Sequence, residues 1–94
     1  MLERPDFMPF AQTDITDSQA LRAGIYLVEL FEELGRQPHF SEIETILCSD
    51  PQHARTVTRR VAYTTSLVAG TPTKKQYQNL SQHLRKRGEE LNLL

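Results

Sequence analysis

An all-α bundle of about four helices is the fold class predicted for this chain, and three observations predict it. Apolar residues recur at helical spacing in four segments, no stretch alternates apolar and polar as a half-buried strand would, and helix start and stop signals punctuate the segments. The chain has 94 residues, 38% of them hydrophobic, with no tryptophan. That suits one compact soluble domain, 1–94, whose modest core self-association would help to stabilise.

The first helix is expected from about Asp17 to Gly35. It opens on Thr16-Asp17-Ser18-Gln19, a Thr-x-x-Gln capping box that satisfies two of the orphan N–H groups of a helix start. Ala20, Ala23, Leu27, Leu30, Phe31 and Leu34 form one face, and Leu21, Ile25 and Val28 widen it past half the circumference. A helix so apolar is either central in the domain or covered on its second side by a dimer mate or partner. After a turn over Gly35 to His39, Ser41-Glu42-Ile43-Glu44 reads as a second capping box, opening a short helix from about Glu42 to Cys48 that points Ile43, Ile46 and Leu47 inward.

Asp50 suits an N-cap and Pro51 the first helical position, where its missing N–H costs nothing. A third helix should run from there to Ala69 and stop at Gly70. The last helix starts at Thr71 or Thr73, with Thr73 and Gln76 as a third capping box, and runs to about Leu91 on a stripe of Tyr77, Leu80, Leu84 and Leu91. Residues 1–14 hold Pro5 and Pro9 and read as an extended arm packed through Phe7, Met8 and Phe10.

Charge is divided along the chain. The formal net charge is −1, yet residues 1–50 hold three basic against ten acidic side chains, a balance of −7, and residues 51–94 hold eight against two, a balance of +6. Between Pro51 and Gly88 there is no acid, so basic side chains there find none within their own helices. Such asymmetry points to a polyanion or an acidic protein surface as partner.

On the third helix, Ala54, Val57, Val61, Thr65 and Val68 make the core stripe, leaving Gln52, Arg55, Thr56, Arg59, Arg60, Tyr63 and Ser66 on the opposite arc. Arginine offers a planar fork of donors for phosphates and base edges, and the smaller polar side chains add short-range donors and acceptors. Arg55 and Arg59 repel each other at i and i+4, a cost more easily explained if an anion docks there. The last helix continues the pattern with Lys74, Lys75, Arg85 and Lys86. Lys74 and Lys75 in its first turn oppose the helix dipole and gain it no stability. The expected nucleic-acid-binding set is therefore Gln52, Arg55, Thr56, Arg59, Arg60, Tyr63, Lys74, Lys75, Arg85 and Lys86. The second and third helices with their turn also resemble a helix-turn-helix unit, although the turn lacks the usual glycine and the third helix is long for a recognition helix.

Other chemistry is not expected. Cys48, Asp50 and His53 match no zinc spacing, and no glycine-rich phosphate loop, paired helical histidines or Gly-x-Ser-x-Gly elbow is present, so neither metal, cofactor nor enzymatic activity is anticipated. The N-terminal stretch reads as neither secretory signal nor transit peptide, the longest uninterrupted apolar run is Ile25 to Val28, and the single cysteine agrees with a reducing compartment. A cytoplasmic, non-membrane protein is the expectation. Its leading function is binding of DNA or RNA as a small helical, dimeric transcriptional or accessory regulator. The runner-up, from another class, is a non-enzymatic protein-interaction adaptor using the wide apolar first helix and the charge asymmetry.

Overall fold

Two capping boxes and one aspartate set the helix starts in the computed structural model, which describes residues 3–94. Thr16 and Gln19 form their reciprocal box and start α1, Asp17–Leu34, which Gly35 closes with its N–H on Phe31 O. Asp50 accepts from the Gln52 N–H at 3.0 Å with Pro51 in the first turn, starting α3, Pro51–Ala69. Thr73 and Gln76 form the second box and start α4, Lys74–Gln78. Replacing Thr16 by alanine is expected to cost about 1 kcal/mol in chemical denaturation, since α1 would lose a cap that nothing else supplies.

Two expected features differ. α2 spans Phe40–Leu47 with His39 as N-cap, so the Ser41–Glu44 box does not form and Ser41 lies inside the helix, its carbonyl accepting the Thr45 hydroxyl at 2.8 Å. Buried Pro38 stands just before the cap, and its restricted φ favours a helix start directly behind it. The last segment is two helices, so the described residues hold five helices instead of four: after α4 the chain breaks at Asn79 (φ −126°, ψ 52°) and resumes as α5, Leu80–Glu90. Asparagine leaves helical geometry readily because its amide competes for backbone partners. The break turns the stripe of α5 onto α1 and leaves Tyr77 68% exposed.

α3 is the helix on which the others converge: α1, α2 and α5 all pack on it, and α1 and α5 also pack on each other. α5 runs antiparallel to α1, as three successive pairs record: Glu29 with Arg85, Leu21 with Gly88, and Ser18, whose hydroxyl donates to Leu93 O at 2.6 Å. The apolar arc of α1 is buried within the chain over Ala20, Leu21, Ala23, Gly24, Ile25 and Leu27, while Val28, Leu30 and Phe31 are half-buried and Leu34 is exposed. One core cluster joins Ala20, Ala23 and Leu27 to Leu47, Val57 and Val61, and a second joins Leu21 and Ile25 to Val68 and Leu84. The stripe of α3 holds with one shift: Thr64 is buried and Thr65 only half-buried.

The N-terminal arm is part of the first cluster. Met8 and Phe10 are buried, Phe7 stacks on Phe10 with ring centroids 5.3 Å apart, and Phe10 bridges to Cys48 in parallel. Phe10 N–H donates to Leu47 O at 2.7 Å and accepts at its own carbonyl from Ser49 N–H at 2.9 Å. The arm therefore occupies the carbonyl and amide that the end of α2 would otherwise leave open. The radius of gyration is 12.6 Å, against about 12.4 Å for a compact chain of this length.

Candidate nucleic-acid interface

The basic side chains divide into those that an acid holds and those that none does. Arg60, on the arc opposite the core stripe, reaches from α3 to the start of α1, pairing with Asp17 and donating to the Thr64 hydroxyl. Arg85 pairs across the α1–α5 interface with Glu29, and Arg87 pairs with Glu90 at 2.9 Å. The expectation that these basic side chains find no acid within their own helices holds for α3 and is corrected at Arg87, which reaches Glu90 one turn on in α5; Arg60 and Arg85 meet acids of α1, brought alongside by packing. Both pairs have a well-exposed member, so each contributes about 1 kcal/mol at most.

Arg55 and Arg59 stand apart from these. Both are exposed, one turn apart near the start of α3, and neither forms an ion pair among the described residues. They line an open groove of about 390 Å³ together with Thr58 from α3 and Phe40 and Glu44 from α2. Gln52 and Thr56 are exposed on the same end of α3.

The remaining expected residues lie elsewhere. Tyr63 is 67% exposed but lines a separate, mostly apolar groove of about 270 Å³ with Leu67, Val68, Leu91 and Leu93, beside the Asp17–Arg60 pair. Lys74 and Lys75 are exposed on α4, which lies beyond the far end of α3 and forms a groove with Phe31, Glu32 and Arg36 of α1. α3 is about 28 Å long, so these lysines are well removed from Arg55. Lys86 is exposed on α5. The ten residues do not line one groove: Gln52, Arg55, Thr56 and Arg59 share one end of α3, Arg60 and Tyr63 line the second groove, and Lys74, Lys75, Arg85 and Lys86 stand on α4 and α5.

Reasoning from the sequence missed Phe40 and Glu44. Phe40 fell between the turn ending at His39 and the helix expected from about Glu42, yet it lies three residues before Ile43, on the apolar stripe of α2, and is 78% exposed. That stripe position was the available signal. The Cys48, Asp50 and His53 group acts locally: Cys48 is buried with its thiol on Asp50 O at 3.3 Å, and the carboxylate of Asp50 serves Gln52 N–H and lies 3.6 Å from His53 Nε2.

With this geometry in view, comparison with known proteins adds no relative. No family model matches the chain, and neither does any curated protein or solved structure. Among the described residues no helix is long and apolar enough to cross a membrane.

Proposed function

We propose that this chain binds nucleic acid through the α2–α3 end of the bundle, as a small regulatory or accessory protein with no catalytic step. The supporting observation is the Arg55–Arg59 pair: exposed, like-charged neighbours held one helical turn apart, neither in an ion pair among the described residues. Each arginine presents a fork of donors matched to phosphate oxygens, and docking a phosphate there releases condensed counterions. Gln52 and Thr56 supply short polar contacts beside them.

A helix-turn-helix mode, with α3 laid in a major groove, receives less support. It would bring the Asp50 carboxylate at the N-terminus of α3 toward the phosphates, and Arg60 is committed to Asp17. Surface docking on α2 and α3 together uses the arginines that are free to bind.

The test is fluorescence anisotropy with duplex and single-stranded oligonucleotides across a salt series. Binding is expected to fall linearly on log–log axes, and Arg55→Gln/Arg59→Gln to flatten the slope by about 1.4 on single strands or 1.8 on duplex. Arg60→Gln should leave the slope unchanged. Absence of binding to either nucleic acid at low salt rejects the proposal.

A protein-interaction reading draws on the separate apolar groove at Tyr63, Leu67 and Leu91, whose three side chains are 67%, 68% and 46% exposed. Much of the first helix's apolar arc packs inside the bundle, and what remains open is at its C-terminal end, where Leu34 is 46% exposed and Val28 and Phe31 line a groove with Tyr77. Were this groove the seat of a dimer, sedimentation would find the wild-type chain self-associated and Leu67→Lys monomeric.

A further inference from the structure

We propose that the α2–α3 groove is a base-binding site for single-stranded nucleic acid, in which Phe40 stacks a base, Arg55 and Arg59 hold its flanking phosphates, and Glu44 favours cytosine over thymine or uracil. This rests on the nucleic-acid reading above and names the strand and the base that the site takes.

Four features of the groove carry it. Phe40 is the most exposed of the large apolar side chains, at 78%, and among the described residues no other aromatic ring stacks on it. An open phenyl ring is a poor feature for solubility but a serviceable platform for a base, since every base has a π-face. A duplex cannot use such a platform, because its bases are already stacked on one another and present only their edges. Single strands can, by splaying a base out.

Arg55 and Arg59 border the same groove. With Cβ atoms about 5–6 Å apart at i and i+4, they are placed for neighbouring phosphates of one strand. The hydroxyl of Thr58, between them, is spent on Ala54 O at 2.8 Å, so the arginines are the principal donors there.

Glu44 is the feature that a purely electrostatic groove would not contain. It is half-buried, lines the groove with Phe40 and the arginines, and makes no ion pair among the described residues. A carboxylate repels phosphate but accepts hydrogen bonds only. Facing a stacked pyrimidine, it is satisfied by the N4 amino group of cytosine and opposed by the O4 carbonyl of thymine or uracil. Charge complementarity is thus divided within one groove, positive toward the backbone and negative toward the base.

The experiment compares oligo-dC, oligo-dT and a mixed-sequence duplex of equal length at pH 7.5, using the wild type and the variants Phe40→Ala, Phe40→Leu, Phe40→Trp and Glu44→Gln. Phe40 is exposed, so each variant should retain the wild-type circular dichroism. Phe40→Ala is expected to weaken single-strand binding by about fivefold to a hundredfold while leaving duplex binding unmoved. Phe40→Leu should be as weak as alanine and Phe40→Trp at least as tight as wild type, which separates stacking from apolar contact. The wild type should prefer dC to dT by roughly fivefold, and Glu44→Gln should erase that preference. Equal binding of single strand and duplex, both insensitive to Phe40, overturns the base site while leaving the phosphate-binding reading intact. A wild type that takes dT as tightly as dC overturns the role of Glu44. Loss of all binding at low salt overturns both proposals together.

Discussion

Phe10→Ala is expected to destabilise the chain by about 3–5 kcal/mol, the range for deleting a buried phenyl ring. Phe10 is only 5% exposed and belongs to the cluster that joins Leu47 and Cys48 to α1 and α3. Truncation removes its stack on Phe7 and opens a cavity at the end of α2, where the neighbouring backbone is pinned by the Phe10–Leu47 and Ser49–Phe10 hydrogen bonds and cannot collapse freely. A chain of this length has a total stability of roughly 5–14 kcal/mol, so the loss is a large share of it. At about 4–8 °C per kcal/mol, thermal unfolding should shift down by more than 10 °C. The alternative, residues 1–14 as a loose tail, requires a shift within about 0.5 kcal/mol, the range for surface substitutions away from structural features. Denaturant melts of Phe10→Ala decide between them, and a shift that small would detach the arm from the core.

Gly24→Ala is the second large effect. α1 and α3 approach closely at Gly24 and Thr65: a Cβ on Gly24 would collide with Thr65 Oγ1 and lie 3.0 Å from Thr65 Cβ. The hydroxyl is held by Val61 O at 2.7 Å. Turning Thr65 so that its Cβ hydrogen faces Gly24 would move the hydroxyl off Val61 O and still leave Thr65 Cβ at 3.0 Å, tighter than ordinary contact. The helices must move apart, which costs about 1–3 kcal/mol in a packed core. Opposing this, alanine is the better helix former by about 0.5–1 kcal/mol. The clash wins, and the expected net loss is about 1 kcal/mol, or roughly 4–8 °C in Tm. In a Thr65→Ala background the colliding oxygen and methyl are gone, so Gly24→Ala should be near neutral. A double-mutant cycle that proves additive would show that the close approach does not set the spacing of the two helices.

Much of this architecture was legible because it is written in local chemistry. Thr16 with Gln19, Asp50 with Pro51, and Thr73 with Gln76 start helices wherever they stand, since a side-chain oxygen three residues or fewer from an orphan N–H needs no tertiary partner. The same holds for the apolar period of α3, where Ala54, Val57, Val61 and Val68 are buried as expected. Local signals also misled. Ser41 and Glu44 have the spacing of a capping box, but the chain entering from Pro38 starts α2 two residues earlier, and Asn79 ends α4 in a segment whose apolar spacing reads as one continuous helix.

By itself the sequence determined that this chain is all-α, where most of its helices begin, and that its acids and bases lie in opposite halves, because each of these depends on neighbours within a few positions. Only the tertiary structure decided which charges remain available. Asp17 lies 43 residues from Arg60 and Glu29 lies 56 residues from Arg85, so no inspection of a single helix could pair them. It also decided that Arg55 and Arg59 share a groove with Phe40 and Glu44, and that α3 and α5 cover the apolar arc of α1 as far as Leu27. The physical reason is that burial and ion pairing are set by which helix faces meet, and that is a property of the whole packed chain.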